Sequence, residues 1–318
     1  MAEFNKKNIS VIAVAGPTAS GKTSFAISLA KLLDGEIISM DSMQIYKYMD
    51  IGTAKPTLEE MDGVKHHLLD VVEPCQPFTA SDYAELAKKC IEDISSRGKT
   101  PILCGGTGLY LNSVLYAYNM SEASFDEGLR AELEAFAAEQ GNKALHDRLR
   151  QLDPKSADEI HCNNTKRVIR ALEICILTGK PKSEQMESSP EPVYNSLVFG
   201  MDIHRDILYD RINRRVDIMV KNGLEDEIRL LLDKGIIDPC DKKMQAAQAI
   251  GYKEMYPYFA GEITFDDAVE QIKMNSRRYA KRQLTWFRRL DNICWIDPTD
   301  DAAVARAKAM ALDHVGSK

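Results

Sequence analysis

Residues 16–23 have the types and spacing of a phosphate-binding loop. They read Gly-Pro-Thr-Ala-Ser-Gly-Lys-Thr, which fits the pattern G-x-x-x-x-G-K-[ST], and they follow an apolar run. Glycines let backbone N–H groups turn inward around an anion, and a helix that begins at Lys22 would add its positive end. Lys22 can supply a point charge for the terminal phosphate, and the Thr23 hydroxyl can hold Mg²⁺. The motif predicts a site for a di- or triphosphate without specifying which.

The simplest interpretation of this loop is a nucleotide kinase or another NTPase, but the sequence lacks one part of such an enzyme. A metal-binding carboxylate ends an apolar strand in many P-loop enzymes. The apolar run at 101–104 is followed instead by Gly-Gly-Thr-Gly at 105–108. The best alternative is Asp41, which ends the run at 36–40 directly after the first predicted helix. A kinase is therefore one hypothesis beside others.

Asp41 follows a predicted strand, so its carboxylate should lie beside the phosphate loop. In a parallel sheet the carboxyl ends of the strands form one edge, where ligands bind. Three roles are open: a general base for an acceptor held over the phosphates, a Mg²⁺ ligand through water, or a cap of the following loop. The residue types alone do not choose among them.

These groups need a scaffold, and the first third of the chain alternates strand and helix patterns. Short apolar runs at 9–15, 36–40 and 101–104 alternate with helical patterns at 24–33 and 78–96. Such alternation predicts a parallel sheet covered by helices on both faces. Together with the phosphate loop, it predicts an α/β fold with a core like that of the P-loop NTPases.

A second unit is predicted inside this core. Residues 121–179 show only helical patterns, with Asn164 as the cap and Gly179 as the stop of one helix. Residues 181–192 are rich in Ser, Glu and Pro, which is typical of a linker. We therefore expect an inserted, all-helical domain.

The chain is expected to return to the core after this insertion. Residues 194–203 have strand character, and the chain after Arg205 is predicted to be helical to its end. The predicted division is 1–119 for the first part of the α/β core, 120–192 for the inserted helical domain, and 193–318 for the completion of the core with a helical C-terminal region.

One predicted helix of the C-terminal region concentrates positive charge. Residues 275–290 contain six Lys or Arg and no Asp or Glu, in a chain of net charge −7. At about 100° per residue the six cations fall on one face. Ile272, Tyr279 and Trp286 fall on a separate arc, which is predicted to pack on the core. Such a face is typical of binding to a nucleic-acid backbone, although a solvated surface helix is the alternative. Lys166, Arg167 and Arg170 would form a smaller basic face on the insertion.

The composition excludes several classes of protein. The 318 residues are 44% hydrophobic and 28% charged, which is ordinary for a globular chain. No apolar run reaches the ~18 residues of a membrane-spanning helix. The seven cysteines include no Cys-x-x-Cys pair, so we expect reduced thiols rather than a disulfide framework or a zinc site. The N-terminal residues have no signal-peptide core, and we expect a cytoplasmic monomer.

Several strings of the sequence, taken in order, form a recognisable set. They are Gly16–Thr23, Ser39–Ser42, Tyr46 with Met49–Pro56, His67–Asp70, Gly105–Thr107, Leu109–Tyr110, Gly251–Tyr252 and Lys281–Arg288. In this order they resemble the bacterial tRNA dimethylallyltransferases, also called tRNA isopentenyltransferases. The resemblance covers residues 9–296, and its most specific strings are the Asp-Ile-Gly-Thr-Ala-Lys-Pro and Lys-Arg-Gln-x-Thr-Trp segments.

The resemblance implies a reaction. Enzymes of that family move a dimethylallyl group from dimethylallyl diphosphate to the exocyclic N6 amine of the adenine 3′-adjacent to the tRNA anticodon. Their phosphate loop holds the diphosphate of this donor, with Mg²⁺, rather than ATP. This would account for the missing kinase carboxylate. The implied partners are the donor and the anticodon stem-loop of tRNA, with no membrane.

The resemblance also implies roles for individual residues. Asp41 matches the catalytic base, and Arg215 matches a diphosphate-binding arginine, although Arg211 and Arg214 lie within one turn of it. The implied catalytic set is Asp41, Thr18, Lys22 and Arg215. The implied diphosphate loop is Gly16, Pro17, Thr18, Ala19, Ser20, Gly21, Lys22 and Thr23, with Thr23 on the metal. The implied tRNA contacts are Asp41, Ser42, Met43, Gln44, Thr107, Lys166, Arg167, Arg170, Gln248, Gly251, Tyr252, Lys253, Lys281, Arg282, Gln283, Thr285, Trp286 and Arg288.

Two further hypotheses stay open beside this one. A P-loop kinase of nucleotides or small molecules would use the same loop, and a non-catalytic RNA-binding protein could keep the loop as a vestige. Thermal stabilisation separates them, because a kinase should respond to ATP with Mg²⁺ and the transferase to dimethylallyl diphosphate.

Overall fold

The computed structural model describes residues 6–116, 126–185 and 192–316. Two compact units are formed: 1–116 together with 192–318, and 117–191. The predicted boundaries, 119 and 192, lie close to these limits. Each unit is described by itself.

The larger unit is built on a six-stranded sheet whose strands are all parallel, in the order β3-β2-β4-β1-β5-β6. The predicted α/β class is therefore confirmed. The strands are β1 (Ser10–Ala15), β2 (Gly35–Ser39), β3 (His66–His67), β4 (Thr100–Gly105), β5 (Asn195–Met201) and β6 (Ile293–Ile296).

The pleat of the central strand explains why both faces of the sheet are covered. Every residue of β1 is buried. Val11 and Ala13 pack into one hydrophobic core, and Ile12 and Val14 pack into the core on the other face. Because successive side chains point to opposite faces, a strand that is apolar throughout must be buried on both sides.

Helices cover both faces of this sheet. The helix after β4 in the chain and the long helix before β6 contribute most to the functional site described below. The helices of this unit are α1 (Lys22–Leu32), α2 (Leu58–Met61), α3 (Ala80–Ser96), α4 (Gly108–Leu115), α9 (Arg205–Lys221), α10 (Leu224–Asp233), α11 (Tyr256–Phe259), α12 (Phe265–Phe287) and α13 (Asp301–Gly316).

The C-terminal region differs from the prediction of helix to the end of the chain, which is wrong. Strand β6 pairs with β5, with Val198 opposite Ile293 and Met201 opposite Ile296. Only four residues form this strand. An apolar run of that length does not reveal by periodicity whether it is strand or helix, and the partner strand decides.

The smaller unit consists of helices α5 (Glu127–Leu152), α6 (Pro154–Glu159), α7 (Thr165–Thr178) and α8 (Lys182–Gln185). Helix α7 begins after Asn164 and ends at Gly179, which takes a left-handed φ of 68°, as predicted. The predicted linker at 181–192 begins with α8, and its residues 186–191 lie outside the described part of the chain. Residues 121–125 of the predicted helical segment lie outside it as well.

In 6–116, 126–185 and 192–316, no helix combines the length and the apolar character that crossing a membrane requires.

Candidate active site

The phosphate loop connects β1 to α1 at the carboxyl edge of the sheet. Gly21 precedes α1 with a φ of 88°, and Ala19 also takes a left-handed φ, of 60°. Left-handed residues alternating with ordinary ones turn successive backbone N–H groups toward one point, which forms an anion nest. Glycine is the residue that adopts this conformation without a steric cost, so Gly21 fits its position in the motif.

Two side chains of the loop have unusual environments. Lys22 is the first residue of α1, and its Nζ donates to the carbonyl oxygen of Pro17 at 3.1 Å. The Ser20 side chain is 0% exposed, and no described residue gives its Oγ a hydrogen bond. A buried hydroxyl without a partner is costly, so the loop is better satisfied when a polar ligand fills it.

Positive charge is concentrated behind the loop. Burial lowers the pKa of Lys22, and the nearby Arg215 lowers it further, while Asp41 opposes the shift. Burial also lowers the pKa of Arg215, again against the attraction of Asp41. Two half-buried cations therefore lie in the field of the Asp41 carboxylate, and Glu60 contributes only at Arg215. Such an excess of buried charge is stabilised by an incoming anion.

The three arginines of α9 occupy different places. Arg215 donates from Nη2 to the carbonyl oxygen of Ala54 at 3.2 Å and lies in the field of Asp41. Arg211 lies beside the phosphate loop, since its Nη1 would be 3.9 Å from a Cβ placed on Gly21. Arg214 is exposed and forms an ion pair with Asp210. Arg215 and Arg211 thus reach the loop, and Arg214 does not.

Asp41 follows β2 and uses one carboxylate oxygen to shape the next turn. Its Oδ1 accepts hydrogen bonds from the backbone N–H of Met43 at 2.8 Å and of Gln44 at 3.4 Å. Among the described residues, none donates a hydrogen bond to Oδ2. The loop-cap role that the sequence left open is therefore real, but it occupies only half of the carboxylate.

A tyrosine that the sequence placed on the packing arc of its helix belongs to this site. The hydroxyl of Tyr279 lies close to the side chains of Thr107 and Gln283. Burial raises the pKa of Tyr279, and the carboxylate of Asp41 adds to the rise, so this phenol stays protonated. Tyr279, Gln283 and Trp286 are spaced by four and three residues along α12, a spacing that places them on one face and could have identified Tyr279.

The predicted contact residue Thr107 is also part of the internal framework. Its Oγ1 accepts a hydrogen bond from the backbone N–H of Ser42 at 3.1 Å. The turn after β4 is thereby tied to the turn after β2, which carries Asp41. Met43 and Gln44 lie in the same half-buried turn, where Gln44 donates from Nε2 to the carbonyl oxygen of Ala54 at 3.1 Å.

The segment Asp50–Pro56 acts as scaffold. Lys55 forms ion pairs with Asp50 at 2.6 Å and with Asp70 at 2.5 Å. The carboxylate of Glu227, on α10, accepts the backbone N–H groups of Asp50, Ile51 and Gly52 at 2.7–3.0 Å. These contacts fix the loop from which Ala54 meets Arg215.

Two residues predicted to contact tRNA are buried in this scaffold. Tyr252 is 0% exposed, and its hydroxyl donates to Glu227 Oε1 at 2.6 Å. Gly251 is also buried, and its N–H donates to Glu254 Oε2 at 2.9 Å. Gln248 and Lys253, on either side, are exposed.

The predicted basic face of α12 is largely exposed. Lys281, Arg282, Thr285 and Arg288 reach the surface, and Arg288 pairs with Asp202 at 3.3 Å. Lys281, Thr285 and Arg288 also line a cavity of about 640 Å³. Gln283 and Trp286 point the other way, since Gln283 is buried and Trp286 packs into the core against Gly108.

The smaller basic face on α7 is partly neutralised. Lys166 and Arg167 are exposed, as a surface contact would need. Arg170 is half-buried and pairs with the buried carboxylate of Glu173 at 3.2 Å. Glu173 also accepts from Arg130 at 2.7 Å. The Arg130–Glu173 pair therefore connects α5 to α7, and the charge of Arg170 is partly neutralised within its own helix.

Comparison with known proteins gives a consistent result. The sequence model of the IPP transferase family matches residues 44–290. A protein of Halalkalibacterium halodurans named tRNA dimethylallyltransferase is 54% identical over 293 residues, which cover 91% of each chain. One of Bacillus subtilis with the same name is 48% identical over 316 residues, or 99% of each chain.

Solved structures of proteins with related names are similar to this chain in fold. The full-length tRNA isopentenylpyrophosphate transferase of Bacillus halodurans is 49% identical, covers 98% of both chains and has a TM-score of 0.72. A eukaryotic dimethylallyltransferase described as acting on tRNA is 30% identical, with a TM-score of 0.85 over 98% of this chain and 80% of the other. The resemblance seen in the sequence is confirmed, and the chain belongs to the IPP transferase family.

Proposed function

We propose that this protein transfers a dimethylallyl group from dimethylallyl diphosphate to the N6 amine of the adenine 3′-adjacent to the anticodon of tRNA. The observation that carries the proposal is the meeting of two half-buried cations, Lys22 and Arg215, with the Asp41 carboxylate at the carboxyl edge of the sheet, where each cation lies in the field of Asp41. The names of the relatives, which are tRNA dimethylallyltransferases, support the same reaction.

The diphosphate of the donor would lie in the loop. The backbone N–H groups of the loop's second half, together with Lys22 and Arg215, offer preorganised positive charge where the leaving diphosphate develops negative charge. The buried Ser20 hydroxyl, which has no partner among the described residues, offers one more donor. Among the loop amides, that of Thr18 is excluded because it donates to Gln283 at 3.1 Å.

Thr23 and Asp41 fit the expected Mg²⁺. Mg²⁺ usually takes most of its ligands from substrate phosphates and water, with only one or two from the protein. Thr23 is the second residue of α1, directly after Lys22, a position from which its hydroxyl oxygen can hold a cation on the bound phosphates. When bound, Mg²⁺ would neutralise charge on the diphosphate.

Asp41 would act as the general base. A bond forms between N6 of the adenine and C1 of the dimethylallyl group, the C1–O bond breaks, and the diphosphate leaves with the electron pair. The amine must then lose a proton, and Oδ2 of Asp41 is available to take it. The adenine must leave its stack to reach this carboxylate, as bases do in enzymes that modify them.

The kinase alternative is disfavoured by the strand beside the loop. Strand β4 lies next to β1, with Cys104 opposite Val14. Burial raises the pKa of Cys104 to about 11, so a neutral thiol stands near the point where a kinase would need a carboxylate. The site therefore suits diphosphate departure better than phosphoryl transfer.

The anticodon stem-loop would bind through exposed cations. Lys281 and Arg282 on α12, together with Arg288 directly after it, offer a positive strip for the RNA backbone. Lys166 and Arg167 offer further cations on the insertion. A tRNA-modifying protein of this kind would act in the cytoplasm, and we propose that it does so as a monomer.

One assay tests the proposal. Purified protein is incubated with unmodified tRNA, Mg²⁺ and dimethylallyl diphosphate, and the nucleosides are analysed by mass spectrometry. We expect one adenosine per anticodon loop to gain a dimethylallyl group, and thermal stabilisation by the donor but not by ATP. Phosphoryl transfer from ATP, with no change in the tRNA, would contradict the proposal and support the kinase.

A further inference from the structure

Gln283 is a polar residue of α12 whose side chain is buried, although the residues around it in sequence form an exposed basic face. It is 6% exposed, whereas its neighbours Lys281, Arg282 and Thr285 are exposed. A buried amide carries both a donor and an acceptor, and each costs free energy unless it is paired. Its partners therefore indicate what the side chain is for.

The two ends of the Gln283 amide bind two different loops. Oε1 accepts the backbone N–H of Thr18 at 3.1 Å, in the phosphate loop that follows β1. Nε2 donates to the carbonyl oxygen of Gly106 at 3.0 Å, in the turn that follows β4. These strands are neighbours, with Ala15 opposite Gly105, so one side chain bridges the two segments that leave their ends.

The fit around this bridge is tight. A Cβ placed on Gly106 would lie 2.0 Å from Nε2 of Gln283 and 3.2 Å from the carbonyl oxygen of Gly16. Only glycine lets the turn approach the amide this closely. The Tyr279 hydroxyl also lies close to the Gln283 side chain, so the bridge is near the neighbourhood of Asp41.

We propose that Gln283 is a positioning residue for the transfer reaction, which fixes the backbone of Thr18 and thereby the first half of the phosphate loop. This positioning role would take the place of the tRNA contact that the sequence led us to expect for Gln283. Because Oε1 holds the Thr18 N–H, the Thr18 side chain and the amides that follow keep one orientation toward the diphosphate. A misplacement of about 1 Å in such a group can cost about a hundredfold in rate.

The inference rests on the proposed function and is tested with three variants of the full-length protein. Gln283→Met keeps the shape and removes both hydrogen bonds. Gln283→Glu keeps an acceptor for Thr18 but turns a second acceptor toward Gly106. Gln271→Met is the matched control, because Gln271 lies on the same helix more than three turns away. Transfer rates, donor KM and tRNA affinity are measured below the melting temperature of every variant.

We expect Gln283→Met to lower kcat at saturating tRNA by about 10- to 100-fold, while the Kd for tRNA changes less than about twofold. Gln271→Met should match the wild type. A rise in the Kd for tRNA with kcat preserved at saturation would overturn the proposal and restore Gln283 as a tRNA contact. Wild-type kinetics in Gln283→Met would overturn it as well.

The pH dependence of Gln283→Glu activity distinguishes the proposed bridge from a purely structural role, which would not make the activity ratio change with pH. A protonated carboxyl can donate to Gly106 and accept from Thr18, as the amide does, whereas the ionised form cannot. We expect the activity of this variant relative to wild type to rise as the pH falls. A ratio that is flat with pH would count against the bridge. Absence of transfer by the wild type would instead refute the proposed function.

Discussion

Strand β2 has a carboxylate near each end, and the two carboxylates differ in how fully they are paired with neighbouring cations. Glu36, near its beginning, accepts hydrogen bonds from Arg97 at 2.5 and 2.7 Å and from His67 at 2.7 Å. Beyond its carboxyl end, Asp41 faces both Lys22 and Arg215. The first carboxylate is saturated by its neighbours, while the second is outnumbered by cations. Saturated charge stabilises a fold, and unbalanced buried charge prepares a site for a ligand.

The largest effect should come from Asp41→Asn, which keeps the shape and the Oδ1 hydrogen bonds but cannot take a proton. The rate of transfer should fall by about 10²–10⁴-fold, the usual contribution of a general base. Binding of tRNA and donor should change little. Single-turnover assays measure the rate, and Asp34→Asn, before the other end of β2, is the control.

A titration with Mg²⁺ separates the alternative roles of Asp41. If the carboxylate holds the metal through water, donor affinity should drop in Asp41→Asn and added Mg²⁺ should partly restore the rate. Near-normal turnover would leave only the loop cap.

Lys22→Ala should reduce transfer by about 10²–10³-fold, because the leaving diphosphate loses a preorganised cation. The folded protein should not lose stability, since the change removes a buried charge that lacks a full partner. Thermal melting and donor KM check both statements. Lys31→Ala, which changes an exposed lysine at the far end of α1, is the control. A large drop in the melting temperature of Lys22→Ala would contradict the view that the charge near Asp41 serves a ligand rather than the stability of the fold.

Glu36→Gln should show the opposite pattern, with a loss of stability and normal kinetics in the folded protein. Hydrogen bonds from Arg97 hold the pKa of Glu36 at about 2, helped by His67, against a desolvation that would raise it. A shift of this size from 4.5 corresponds to roughly 3 kcal/mol of stability. Because the folded pKa is depressed, this stability is present above pH ~4.5 and is lost as the pH falls toward ~2. Urea denaturation at pH 7 and pH 3 measures it, and the variant should lose this acid dependence.

The smallest effect concerns the exposed cations. Changing Arg278 and Arg282 together to Ala should weaken tRNA binding and reduce the slope of log K against log salt by about 1.5, or 0.7–0.9 per phosphate contact. The donor site should be intact, because its cations are buried and poorly screened. Binding titrations at several salt concentrations test this. Arg306→Ala with Lys308→Ala on α13 is the control, and an unchanged slope would mean that the basic face of α12 is only solvated.

Local patterns predicted the parts of this molecule that depend on neighbours in sequence. The phosphate loop, the turn at Asp41 and the caps of α7 at Asn164 and Gly179 follow from short motifs. Membership of the family followed from strings such as Asp50–Pro56. The four-residue β6 was missed because its pairing with β5 lies outside any local pattern.

The direction in which a side chain points was the other property that the sequence did not predict. Tyr252 and Gln283 belong to segments that suggest tRNA contact, yet each is held by a partner that is distant in sequence. Tyr279 was assigned to packing, although its hydroxyl reaches Thr107. Residues on one turn of a helix can face a ligand or the core, and only the tertiary contacts decide which.

The bridge from Glu227 to the backbone of Asp50, Ile51 and Gly52 spans about half of the chain. Central strand β1 likewise needs β5, which is made only after the insertion. During synthesis the phosphate loop therefore emerges long before the residues that hold its surroundings in place. Contacts this distant in sequence form slowly, which leaves a half-made sheet with an open edge. A ribosome-bound chain that stops before α12 would carry the complete phosphate motif and still be unable to transfer anything.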